Sequence, residues 1–187
     1  MNRLLLIVDP QIDFISGSLP VPGAAPAMDA LAAYVAEQDG YAFKIVTCDF
    51  HPHDHSSFTA NGGQWPEHCV AHSTGAAIWP ALFATLFVTP APVEILCKGQ
   101  DAATEEYSIF KNAVACERIK SIVAEHGIDR IDVCGIAGDV CVLQTLRDGV
   151  EMFGTDMFRV LTQFAPSLDG GVSLNEFIQN KLPQENV

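Results

Sequence analysis

The stretch Ile131-Asp-Val-Cys-Gly-Ile-Ala-Gly-Asp-Val-Cys-Val142 decides how the rest of the chain is read. Its first part, Ile131–Cys134, has the apolar, β-branched composition of a buried strand. A loop holding Gly135 and Gly138 comes next, and helix-like sequence runs from Val142 to Val150. Cys141 stands where that helix begins. A helix N-terminus offers unpaired N–H groups and partial positive charge, which favour thiolate over thiol. Small loop residues let backbone amides approach a developing oxyanion. Cys141 is therefore either a reactive thiol or a small core residue, and its surroundings have to decide between the two.

Outward from this stretch the same alternation repeats. Apolar, β-favouring runs lie at Leu4–Val8, Phe43–Cys48, Val93–Cys97 and Phe158–Leu161, besides Ile131–Cys134. Between them are helix-like segments at Ala27–Gln38, Ala76–Leu86, Ala113–Glu125, Val142–Val150 and Val172–Asn180. The strand runs are continuously apolar rather than alternating, so they are expected to be buried on both faces. This order predicts an α/β fold: a three-layer, doubly wound sheet, mostly parallel, with helices on both faces. The 187 residues, 49% hydrophobic and 18% charged, suit one globular domain spanning 1–187.

Composition excludes several classes of function. Ten basic against 23 acidic residues leave a net charge of -13, which disfavours phosphate-backbone binding, so no nucleic-acid partner is expected. The run Leu4–Val8 is too short for a signal-peptide core and is cut off by Asp9. Val70–Val93 contains no Asp, Glu, Lys or Arg, but Gly75, Pro80 and Pro90 break it, so no membrane span is expected. The six cysteines include no Cys-x-x-Cys pair, and three of them close apolar strand runs. Reduced thiols and a cytoplasmic location are expected.

The polar residues at the strand ends bear on chemistry. The first run ends at Asp9, the second at Asp49 and His51, the third at Lys98, and the fourth at the Cys141 loop. Open α/β sheets bind ligands beyond the carboxyl ends of their strands. Asp9, if desolvated enough to raise its pKa, can take a thiol proton, and Lys98 can stabilise the anions that result. The alternatives are a turn cap for Asp9 and a surface cation for Lys98. Asp49-Phe-His51 sets a carboxylate and an imidazole on one side of an extended segment. His68 would supply a third ligand from a later loop. That mixed oxygen and nitrogen set suits Zn²⁺ and also accepts Fe²⁺ or Mn²⁺. The alternative is a solvated polar loop.

Several motifs in order resemble the nicotinamidase and pyrazinamidase branch of the isochorismatase-like cysteine hydrolases. They are Val8-Asp-Pro-Gln-Ile-Asp-Phe14 with Gly17–Gly23, Thr47–Phe58, Trp65-Pro-Glu-His-Cys-Val70, Lys98-Gly99 with Tyr107-Ser108, and Gly135–Val142. The resemblance implies Cys141 as nucleophile, Asp9 as proton acceptor and donor, and Lys98 as third member. It implies an oxyanion site from the N–H groups of Ala137 and Cys141, entered through a cis Ile136–Ala137 bond. It also implies one divalent metal, zinc first, on Asp49, His51 and His68, with His55 as a further ligand used by some members; His53 matches a variable surface position. Phe14 and Trp65 match residues that hold an aromatic ring, and Tyr107 is placed nearby.

The activity so implied is hydrolysis of nicotinamide to nicotinate and ammonia in NAD salvage. The partner expected is a small carboxamide, and the oligomeric state is left open, a homo-oligomer included. Ile12, Ala71–Ala76 and Gln163-Phe164-Ala165 depart from the family's pattern, which bears on the exact substrate. Two alternatives stand beside this: a related hydrolase of another small amide or carbamoyl compound, and a binding protein that keeps the scaffold without catalysis.

Overall fold

The computed structural model describes residues 1–183. Its centre is a five-stranded sheet of β1 (Arg3–Val8), β2 (Tyr41–Asp49), β3 (Val93–Lys98), β4 (Arg130–Gly135) and β5 (Phe158–Val160). The strand order is β3-β2-β1-β4-β5 and every pair is parallel. The expected sheet is therefore present, and wholly parallel. A single-turn helix α1 (Ile12–Ile15) comes after β1. Helices α2 (Ala24–Glu37) and α3 (Pro80–Thr85) cover one face of the sheet. Helices α4 (Ala113–Glu125), α5 (Leu143–Phe153) and α6 (Val172–Lys181) cover the other.

Side-chain alternation in β1 divides the interior into two cores. Leu4, Leu6 and Val8 pack with Ile119, Ile122, Leu146 and Ile178, while Leu5 and Ile7 pack with Met28, Leu31, Val35 and Leu82. Both sets are buried, which is why the strand reads as one unbroken apolar run. Among the described residues, no helix is long and apolar enough to cross a membrane. All six cysteines are free thiols.

Three helices differ from expectation by more than one residue at an end. The helix expected over Ala76–Leu86 shrinks to Pro80–Thr85, because Pro80 fits the first helical position but not a helix interior. The residues before it lie outside the helix, and Ile78 bridges to Gln11. Helix α2 begins at Ala24 rather than Ala27, with Pro26 accommodated in its first turn. The helix expected from Val142 starts at Leu143, after a π-type turn over Gly138–Val142, and continues to Phe153.

The strand order reverses beside β1, which places β1 and β4 side by side at the point where such sheets bind ligands. Gly135 makes that approach close enough. Its φ is +119°, and a Cβ there would lie 2.0 Å from the Val8 carbonyl oxygen. Only glycine lets β4 leave the sheet against the end of β1 and turn toward Cys141.

Candidate active site

Four strand ends deliver the polar groups together, as the sequence pattern predicts. Asp9 directly succeeds β1, Asp49 and Lys98 are register partners at the ends of β2 and β3, and Cys141 lies in the turn after β4. Lys98 Nζ is 2.9 Å from Asp9 Oδ2, 2.5 Å from Asp49 Oδ1 and 3.7 Å from Cys141 Sγ. Asp9 and Lys98 are fully buried and Cys141 is 5% exposed. That burial rules out Lys98 as a surface cation.

Electrostatics is set by burial around one ammonium. Burial is the largest influence on Asp9 and raises its pKa; Lys98 pulls it down, and the Asp49 carboxylate adds to the rise. Burial also pushes the Cys141 thiol well up, against the pull of Lys98. For Lys98 burial disfavours the charge, but Asp49 and Asp9 outweigh it and hold the group well above its usual range. Burial alone would raise Asp49, yet Lys98 and His51 keep it far below an ordinary carboxylate. Cys141 lies in the π-type turn Gly138–Val142 that leads directly into α5, and burial is the largest influence on its thiol.

Asp49, His51 and His68 bring one ligand atom each to within 4.8 Å of one another, all three buried. The fit to a cation rests on what the other ring atoms do. His51 Nδ1 bonds the Gly99 carbonyl at 2.8 Å and His68 Nδ1 bonds the Pro66 carbonyl at 2.7 Å. Each Nδ1–H is thereby committed, leaving Nε2 as the lone-pair atom. Among the described residues, His51 Nε2 is buried with no hydrogen-bond partner, 3.7 Å from Asp49 Oδ2. Burial lowers the pKa of His68, so its neutral, ligating form is favoured. Asp9, Asp49 and Cys141 are also mutually within 4.8 Å, but the Lys98 ammonium already stands among them.

His55 lies against His51, with ring centroids 4.0 Å apart, yet both its nitrogens are engaged. Nδ1 meets Ser57 Oγ at 2.7 Å and Nε2 meets the Thr104 carbonyl at 3.1 Å. It is not among the three converging ligands. His53 is out on the surface beside Glu67.

Beside this cluster is a narrow slot of about 30 Å³. Phe14, Trp65 and Tyr107 line it, and so do Ala137, Cys141 and His68. The nucleophile candidate and a metal-ligand candidate therefore open onto one aromatic-walled slot. Trp65 Nε1 donates to Tyr107 Oη at 3.0 Å, which ties the two walls together. The Ile136–Ala137 bond is cis, as the resemblance implies. Among the described residues, the Ala137 N–H has no backbone hydrogen-bond acceptor.

Several contributors were not singled out from sequence. Thr47 Oγ1 donates to Asp9 Oδ1 at 2.6 Å from a position two residues before Asp49 on the same strand face. Gln11 clasps the Asp49 backbone twice at 2.7 Å. Asp13 accepts from the N–H groups of Ser18 and Cys69, which holds α1 to the loop that carries His68. Leu19, Val21, Val140 and Leu168 complete the slot, and apolar residues in loops gave no periodic signal.

Comparison with known proteins agrees with this geometry. The isochorismatase domain matches residues 3–152. The nicotinamidase/pyrazinamidase of Mycobacterium tuberculosis is 39% identical over 153 residues, covering 79% of this chain and 78% of that one. The pyrazinamidase of Pyrococcus horikoshii, solved in complex with zinc, superposes with a TM-score of 0.77 at 27% identity, covering 97% of each chain. PnC1 from L. infantum, solved in complex with nicotinate, superposes with a TM-score of 0.81 at 28% identity, covering 96% of this chain and 89% of that one. With the shared domain, the sheet order and the Asp9, Lys98 and Cys141 cluster all in place, the chain belongs to the isochorismatase family, in its nicotinamidase/pyrazinamidase branch.

Proposed function

We propose that the protein hydrolyses nicotinamide to nicotinate and ammonia through a thioester on Cys141, within one catalytic domain over 1–187. The observation that carries this is the shared slot: Cys141, His68 and three aromatic residues face the same narrow space. A planar heteroaromatic carboxamide fits such walls better than a flexible carbamoyl chain. The relatives named for nicotinamide and pyrazinamide hydrolysis, and the neighbour holding nicotinate, support the same substrate class.

In the resting site Cys141 is a thiol and Asp9 a carboxylate beside Lys98. As the sulfur attacks the carboxamide carbon, its proton passes to Asp9, and Lys98 balances the charge left nearby. The carbonyl oxygen becomes an oxyanion that the N–H groups of Ala137 and Cys141 hold. Asp9 returns the proton to the amide nitrogen, the C–N bond breaks, and ammonia leaves a thioester. Asp9 then takes a proton from water, whose oxygen attacks the thioester carbonyl. The C–S bond breaks as Asp9 returns that proton to the Cys141 sulfur, and the acid loses its own proton to solvent and departs as nicotinate. Asp49, His51 and His68 would hold a divalent cation, zinc foremost because the P. horikoshii relative holds it, with iron or manganese also accepted. When bound, that ion supplies Lewis acidity beside the slot and a site for a ring nitrogen or water.

Nicotinamide hydrolysis would place the protein in NAD salvage, and six free thiols suit a reducing cytoplasm. The test is ammonia release from nicotinamide, pyrazinamide, benzamide and an N-carbamoyl amino acid, with and without chelator. Nicotinamide and pyrazinamide are expected to lead, with activity lost on chelation and restored by zinc. A preference for the carbamoyl compound would transfer the reading to the related carbamoyl hydrolases.

A further inference from the structure

One wall of the slot belongs to a strap that the mechanism does not use. Residues 165–169 run from the end of the sheet toward α6 and are fastened to the turn that carries Cys141. Gly138 N–H donates to the Pro166 carbonyl at 2.8 Å. The two carboxylate oxygens of Asp139 then accept from the N–H groups of Leu168 and Asp169, each at 2.9 Å. Asp169 in turn accepts from Gly171 and Ser173 at the start of α6. The strap also borders an open groove lined by Pro166, Ser167, Gly170 and Gly171.

Leu168 is the strap residue that reaches the slot, and it is 41% exposed. A large apolar side chain half in solvent at the mouth of an apolar slot gains burial only when something apolar fills the slot. Asp139 sits two residues before Cys141, so the strap is referenced to the nucleophile itself rather than to a distant loop. We propose that Leu168 is a specificity-determining residue that closes on the outer edge of the substrate ring, and that Asp139 is the positioning residue that sets how far it closes. This rests on the aromatic-carboxamide reading of the slot.

The test compares wild type, Leu168→Ala, Asp139→Ala and the double variant on nicotinamide and on ring-methylated nicotinamides. Leu168→Ala is expected to raise KM for nicotinamide about tenfold, from the lost burial of a leucine side chain, with kcat within about twofold. It is also expected to improve kcat/KM for the methylated rings relative to nicotinamide. Asp139→Ala should show the same KM shift and the same relaxed ring preference. The double variant should be no worse than either single one, because Asp139 acts through Leu168.

The proposal is overturned if Leu168→Ala leaves KM and ring preference unchanged, or if the two substitutions add. It is equally overturned for Asp139 if that variant lowers kcat without moving ring preference, the mark of a disturbed Cys141 turn. Leu168→Met, which keeps bulk, should retain wild-type selectivity and guards against general loss of the strap. If wild type releases ammonia from pyrazinamide or benzamide but not from nicotinamide, the substrate reading fails by itself, and the same series is read on that amide. If wild type releases ammonia from no aromatic carboxamide, both readings fall.

Discussion

Asp9 has one carboxylate oxygen on Thr47 Oγ1 and the other facing Lys98, and burial sets its proton affinity. The carboxylate must be ionised to take the thiol proton. Because its pKa is raised, the acid side of kcat/KM is expected to fall away above the ordinary aspartate range, with activity lost as pH drops through that raised value. Thr47→Val keeps the shape and removes the hydroxyl that favours the charged form. The acid limb should therefore move further up in pH, and stability should fall by about 1–2 kcal/mol for the lost buried hydrogen bond. A pH profile of kcat/KM alongside urea unfolding checks both, and an unmoved limb would show that Thr47 does not tune Asp9. The acid, the lysine and the cysteine were legible because each stands at or just beyond the end of an apolar strand. Thr47 was not, since a β-branched polar residue inside a strand reads as ordinary strand sequence.

The connections between elements set the candidate metal ligands. Gly99, just after β3, has φ +68°, and a Cβ there would lie 2.4 Å from His51 Cε1 and 2.6 Å from Nδ1. Its N–H donates to Glu106 Oε2 at 2.8 Å, while its carbonyl takes the His51 Nδ1–H. Gly99→Ala should displace the imidazole and weaken zinc binding by about 10–100-fold, the range seen when an outer partner of a ligating histidine is lost. Titration with a competing chelator measures this, and Glu106→Ala should move affinity the same way. Unchanged zinc affinity in both would remove Gly99 from the ligand's support. Sequence placed His51 and His68 but not this support, because Glu106 reaches His51 only through the Gly99 backbone. The helix over Ala76–Leu86 was over-read for a related reason. Its composition is helical, but Gln11 Nε2 donates to the Ala76 carbonyl and Ile78 bridges to Gln11, so tertiary pairing wins over local preference up to Pro80.

For the molecule as a whole, the two apolar cores fix the sheet, and Asp9, Asp49 and Lys98 gather at the strand ends. The overall order was legible since the central strands are buried on both faces and read as continuous apolar runs. The slot walls contributed by Leu19, Val21 and Leu168 were not legible, as they come from loops far apart in sequence. Zinc at about a hundred times its dissociation constant should stabilise the fold by about 2.7 kcal/mol, or about 5–10 °C in Tm for a chain of this length. Scanning calorimetry with and without chelator reads this shift. Cys141→Ala should keep it and His51→Ala should lose it, which separates metal binding from catalysis. An equal shift in His51→Ala would place the ion elsewhere.

The nucleophile is the claim on which the rest depends. Ammonia release from nicotinamide by zinc-loaded Cys141→Ala, measured beside wild type, addresses it directly. The expected result is a loss of about 10³-fold or more at unchanged Tm and zinc content, as for removal of a catalytic nucleophile. Release at the wild-type rate would contradict it and return Cys141 to the core.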